Sequence, residues 1–279
     1  MSELATLLIT ADPAVARHAE LCGVDTIFLD METRGKALRQ GHLDTHRSAH
    51  TLDDVKQVKA ALREAELLVR INPPWDETPR EVKEAIEAGA ERLMLPMFRM
   101  VEEVESFKAA VAGRVPVTLL VETAAALARV HGLIPLLQPS DRLHFGLNDL
   151  CLDMRLDFLF EVLAGRLLDG PTAHCRAAGV RFGIGGVGRI GTGALPAEWI
   201  IGEHVRLGSD SVILSRAFHG GATSGASFIE AIDLRFELAE LRRMAAAFES
   251  QNPAALLENQ ARLADRVMQL AVARRADAR

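Results

Sequence analysis

The 279-residue chain predicts a (β/α)8 TIM barrel with a helical carboxy-terminal extension. Two observations carry this. Eight short apolar, β-branched runs each lead into a stretch of helical pattern. The runs are almost continuously apolar rather than alternating, as strands covered on both faces should be. A doubly wound open sheet is the rival; it needs a switch point, and eight regular repeats favour closure.

ATLLIT (5–10) is the first run. The helix after it spans 12–23, with Asp12 as its cap, Pro13 in its first turn and Gly23 at its stop. TIFLDME (26–32) is the second run. A polar segment follows, TRGKALRQGHLDTHRSAH (33–50), too long for an ordinary strand–helix loop; such segments are functional or disordered. The second helix opens at Thr51, with Asp54 placed for a capping box. LLVRIN (67–72) is stopped by Pro73 and Pro74, and its helix covers 77–88 before Gly89. RLMLPM (92–97) precedes a helix over 101–112, and VPVTLLVE (115–122) a helix over 123–137. RLHFGL (142–147) leads to a helix over 157–178, VRFGIGG (180–186) to one over 196–207, and DSVILSR (210–216) is the eighth run. From Ser224 onward the pattern is helical. The barrel is therefore assigned to 1–222 and the extension to 223–279, packed on or swapped with a neighbouring protomer.

The composition, 49% hydrophobic and 25% charged, is that of a globular domain. The cysteines Cys22, Cys151 and Cys175 show no CxxC spacing, which argues against zinc and suits a reducing compartment. A net charge of −6 with no basic tract, and no tyrosine, speaks against nucleic acid as a partner. The start, MSELATLLITADPAV, lacks a basic region followed by a long apolar stretch. Neither a signal peptide nor a membrane span is expected, and the location expected is cytoplasmic.

In a barrel, chemistry collects at the carboxyl ends of the strands. Glu122 and Asp149 end or follow the fifth and sixth runs. As a pair they suit one hard divalent cation, Mg2+ or Mn2+ rather than zinc, because no His or Cys stands beside them. Each alone also reads as a first-turn acid favoured by the helix dipole. Arg70, among apolar neighbours, is either a fork for a substrate carboxylate or an internal partner of Asp30, Glu32 or Glu122. Asp30 and Glu32 point the same way and could hold water, pair with Arg70, or move protons. Of the histidines His42, His46 and His50 in the long segment, His42 is the choice for a general base; an exposed polar loop is the alternative. GIGGVG (183–188) matches a dinucleotide-loop spacing in the wrong context, so a dinucleotide is rejected. Those glycines with Arg189 suit an anion or close packing.

FLDME, LLVRIN, EAGAERLMLPM, LLVET and FGLNDLCLDM, in this order from about Leu7 to Phe218, resemble the HpcH/HpaI aldolase and citrate lyase beta-subunit family of pyruvate-binding barrels. The resemblance implies that Arg70 binds the carboxylate and oxo group of a pyruvate-like acid and that Glu122 and Asp149 hold the metal, Mg2+ or else Mn2+ or Co2+. It further implies that Asp30 assists proton transfer, and that Gly146, Leu147 and Asn148 with Asp149 cradle the substrate. The activity implied is a metal-dependent carbon–carbon lyase acting through an enolate, with a 2-oxo acid and an aldehyde as partners. The alternatives are an acyl-CoA lyase of the malyl or citramalyl type and a non-catalytic oxo-acid-binding barrel. Thr33 stands where the aldolases carry histidine, so either His42 replaces it or the chemistry differs. The apolar positions Phe228, Ile232, Leu234, Phe236, Leu238 and Leu241 need a surface to cover. With the extension they lead us to expect a homo-oligomer, a trimer or hexamer.

Overall fold

A computed structural model describes residues 4–35, 50–220, 222 and 225–277. Along the chain, β1 (Ala5–Ile9) is followed by α1 (Pro13–Cys22), β2 (Thr26–Asp30), α2 (Leu52–Ala61), β3 (Glu66–Arg70) and α3 (Thr78–Ala88). Next come β4 (Arg92–Leu95), α4 (Val101–Val111), β5 (Val117–Val121), α5 (Ala124–Ala128), α6 (Val130–Leu133) and β6 (Arg142–Phe145). They are followed by α7 (Leu147–Asp153), α8 (Glu161–Ala164), α9 (Asp169–Ala177), β7 (Arg181–Val187), α10 (Ala197–Leu207) and β8 (Ser211–Leu214). Three helices end the chain, α11 (Gly225–Ala231), α12 (Leu234–Glu249) and α13 (Pro253–Asp277). The eight strands close in sequence order into a parallel barrel.

The local signals act as read. Asp12 accepts the N–H groups of Ala14 and Val15, and Gly23 closes α1 at φ 101°; such a cap contributes about 1 kcal/mol. Thr51 and Asp54 form the capping box. Two expected helices are broken. The stretch 123–137 divides at Arg129 and tightens into a 3-10 turn at Ile134–Leu136, where Pro135 cannot donate within a helix. The stretch 157–178 divides where Gly165 ends α8 and Arg166 turns left-handed at φ 58°. The sixth strand stops at Phe145, and Gly146 begins α7 instead of extending the run.

Alternation along the strands grades the barrel interior along its axis. Thr26, Glu66, Thr118 and Arg142 lie at the amino-terminal end. Leu7, Phe28, Leu68, Met94 and Leu120 form an apolar waist. Asp30, Arg70 and Glu122 follow two residues after Phe28, Leu68 and Leu120 at the carboxyl mouth, and Gly146 follows two after His144, the partner of Leu120 in register. The outward residues, such as Leu29, Val69, Leu119 and Leu143, pack under the helices in the main core.

The terminal helices lie on this chain's own barrel. Asn259 donates to the Trp199 carbonyl at 2.9 Å, and a side chain at Gly202 would meet Asn259 Nδ2 at 2.4 Å, so α13 rests on α10 where only glycine fits. Phe228, Ile232, Leu234, Leu238 and Leu241 are buried there, whereas Phe236 is exposed. The surface these residues required is therefore largely supplied within the chain, and they no longer argue for an oligomer. Among the described residues no helix is long and apolar enough to cross a membrane.

Candidate active site at the carboxyl ends of the strands

β2 and β3 pair with Asp30 directly opposite Arg70. Arg70 grips Asp30 with two bonds, Nε to Oδ1 at 2.9 Å and Nη2 to Oδ2 at 2.7 Å, and Nη2 stands 3.5 Å from Glu32. The Glu32 N–H also donates to Asp30 Oδ1 at 3.1 Å. The internal pairing considered from sequence is thus present. It takes the guanidinium's Nε and Nη2. Burial disfavours the cation, but Asp30 first, then Glu32 and Glu122, outweigh it and hold Arg70 firmly charged.

Glu122 directly follows β5 and is buried. Met97, in a left-handed conformation at φ 56°, donates its N–H to Glu122 Oε1 at 3.0 Å. A non-glycine residue there carries strain, of the kind kept where the surroundings demand it. Burial pushes the Glu122 carboxyl well above the usual range. Arg70 opposes that rise, while Asp149 and Glu32 add to it. Asp149 is buried in the first turn of α7, and its field reaches Glu122. Gly146 makes this approach possible, since a Cβ there would lie 3.0 Å from both Cβ and Oε2 of Glu122. Leu147 and Asn148 open α7, where the first backbone N–H groups have no helical acceptor.

The mouth thus gathers Asp30, Arg70, Glu122, Gly146, Leu147, Asn148 and Asp149. His42 and His46 lie outside the described residues. His50 is described: its Nδ1 accepts the Asp30 N–H at 3.0 Å, which brings this histidine to the end of β2. Arg189 is paired with Glu237 of α12 at 2.7 Å.

Sequence reading missed Asn72. Its Oδ1 accepts the N–H groups of Thr33 and Arg34, each at 2.9 Å, and Arg34 stacks over Trp75 at 4.0 Å. The start of the long segment is therefore fastened to the turn after β3. The signal was a polar side chain directly after a buried strand and before two prolines.

Glu122 and Asp149 offer an all-oxygen donor pair. Among the described residues no group of three or more His, Cys, Asp or Glu is placed to hold a metal. Two carboxylates still suit Mg2+, which keeps several waters and takes one or two protein carboxylates. An ionised Glu122 is opposed by burial and by its acidic neighbours; a dication beside it reverses that balance. The residues present therefore fit such an ion.

No match was found among curated proteins. Among solved structures, the HpcH/HpaI aldolase from Desulfitobacterium hafniense DCB-2 is similar with a TM-score of 0.59 at 17% identity, over 82% of this chain and 93% of that one. That likeness speaks for the fold. The family model described as HpcH/HpaI aldolase/citrate lyase matches residues 6–180, more than half of the chain. A closed barrel with acids and an arginine at its carboxyl mouth thus belongs to the HpcH/HpaI aldolase/citrate lyase family.

Proposed function

We propose that the protein is a divalent-metal-dependent carbon–carbon lyase of the class II type, joining or cleaving 4-hydroxy-2-oxo acids. Its substrates are a pyruvate-like 2-oxo acid and an aldehyde. The observation that carries this reading is the grouping at one mouth of Arg70, Glu122 and Asp149, close enough that the first and last act on the charge of Glu122. Glu122 and Asp149 would hold the cation, Mg2+ by donor chemistry, with Mn2+ and Co2+ compatible. When bound, it supplies Lewis-acid stabilisation of the negative charge gathering on the substrate's C2 oxygen.

The remaining work falls to the chain. Arg70 Nη1 donates to the substrate carboxylate and oxo oxygens, while Asp30 and Glu32 keep the guanidinium oriented. The opening amides of α7, at Leu147 and Asn148, face the carboxylate, with Gly146 leaving room. In cleavage the C3–C4 bond breaks, the 4-hydroxyl loses its proton as the aldehyde forms, and the electron pair passes to C3 of the oxo acid. Asp30, paired with Arg70, holds the water that takes this proton and later returns one to C3. His42 is proposed as the base that shares this transfer.

Proton NMR of pyruvate in heavy water tests the reading. With Mg2+ and enzyme the methyl signal should fade as deuterium replaces hydrogen, and chelation should stop the exchange. A methyl signal that persists with metal demonstrably bound refutes the lyase assignment.

A further inference from the structure

The seventh strand carries two glycines whose place at the mouth is so far unexplained, Gly183 and Gly185. His144 of β6 stands in register with Gly183. A Cβ on Gly183 would collide with the imidazole, 2.8 Å from Cε1 and closer still to Nδ1, so glycine there makes room for the ring. Nε2 lies further along β7, 3.6 Å from where a Cβ on Gly185 would stand. The ring therefore rises along β7 toward the carboxyl mouth. On its amino-terminal side the same residue borders a cavity of about 250 Å³, which Thr118, Arg142 and Ser211 also line.

Two observations point to a ligand at Nε2. His144 is 2% exposed, and among the described residues its Nε2 has no hydrogen-bond partner; buried polar atoms are nearly always partnered. That nitrogen also borders a gap shared with a backbone donor. Apart from Gly185 and its chain neighbours, the described atoms nearest to the Gly185 Cβ point are the Phe145 carbonyl oxygen at 3.4 Å, Nε2, and Leu147 N at 3.7 Å. The gap thus lies between the imidazole and the Leu147 amide, and the Phe145 oxygen turns an anionic oxygen toward the amide side. Burial, with His204, Arg142 and Arg70 adding, holds His144 down to about 3. The imidazole is therefore neutral and has one N–H to donate.

We propose that His144 is a substrate-binding residue, its Nε2–H donating to the carboxylate of the 2-oxo acid beside the Leu147 amide. The inference rests on the lyase reading and deepens it by naming what selects a free carboxylate. With donors on each side, the NH2 of an uncharged amide analogue meets another N–H whichever way it turns. Gly183 and Gly185 then have one purpose, to admit the ring and to leave its outer nitrogen open.

The test is calorimetric titration of the whole protein, loaded with Mg2+, with pyruvate and with pyruvamide. His144→Phe keeps a flat ring but no donor. It should weaken pyruvate roughly 10- to 100-fold and pyruvamide no more than about threefold, with Mg2+ affinity unchanged. His144→Gln, which returns an N–H, should recover most of the loss. Wild-type crystals soaked in Mg2+ and pyruvate should place a carboxylate oxygen within about 3.2 Å of Nε2, which decides the matter even if His144→Phe does not fold. Equal weakening of pyruvate and pyruvamide, unchanged pyruvate affinity in His144→Phe, or water alone beside Nε2 with pyruvate seated at the mouth overturns the proposal. Each of these leaves the lyase reading standing, since methyl exchange by the wild type is measured separately. A wild type that neither binds pyruvate nor exchanges its methyl protons overturns both.

Discussion

Replacing Arg70 with alanine tests the mouth most severely, because it takes away a cation that two buried acids share. The side chains of Asp30 and Glu32 are 4% and 1% exposed, and Arg70 bonds one at 2.7 and 2.9 Å and lies 3.5 Å from the other. Breaking a buried pair by removing one member costs about 3–5 kcal/mol, from a total stability of roughly 5–15 kcal/mol. At about 2–3 °C per kcal/mol for a chain of this length, the melting temperature falls by about 6–15 °C. Arg70→Lys keeps the charge but not the two-pronged geometry, and should lose roughly half as much. The assay is calorimetry on wild type and both variants, in EDTA, between pH 4 and 8. A variant melting within about 2 °C of wild type at pH 7 would falsify the reasoning.

Other outcomes follow from the same geometry. Glu122 has its pKa raised, so the folded metal-free protein keeps a proton that the unfolded chain loses above about 4.5. Its stability should therefore decline as pH climbs from there, and Glu122→Gln should flatten the decline while removing the Mg2+-dependent rise in melting temperature. Gly146→Ala places a methyl 3.0 Å from Glu122; titration calorimetry should show metal affinity at least tenfold weaker, with about 1–3 kcal/mol lost in denaturant melts. Burial pushes the Glu20 carboxyl up, but the N–H groups of Glu64, Ala65 and Arg63, with Arg17, prevail and hold it at about 2. That stabilisation is present above about 4.5 and disappears as pH falls toward 2. Its side chain is 6% exposed, and Glu20→Gln should cost about 2–3 kcal/mol at pH 7 and almost nothing at pH 2, as urea melts will show.

The barrel was legible because each strand is a dense apolar run bounded by glycine, proline or a cap, in which a charged residue stands out. Glu122, Asp149, Asp30 and Arg70 could be picked out for the same reason, since charge in a buried strand needs a partner. Which partner could not be read. Asp30 and Arg70 come opposite each other through strand register, which the linear pattern does not display. The broken helices failed for a different cause. Apolar periodicity persists through Arg129 and Gly165, while the chain obeys Pro135 and the left-handed turn at Arg166. Asn72 escaped notice, and His50 was passed over in favour of His42, because each acts on backbone groups distant in sequence. The cavity at the amino-terminal end went unseen because Thr26, Glu66, Thr118 and Arg142 come from strands that only barrel closure brings together.

The graded interior has a practical consequence for engineering. From Glu66 to Arg70 the chain advances four strand residues, about 13 Å, farther than the distance beyond which substitutions usually combine additively. Changes below the oily belt can thus be used to adjust thermal tolerance, and changes above it to adjust turnover, as two independent dials. His144 is the exception: it senses both Arg142 and Arg70, and is the position where turning one dial should move the other.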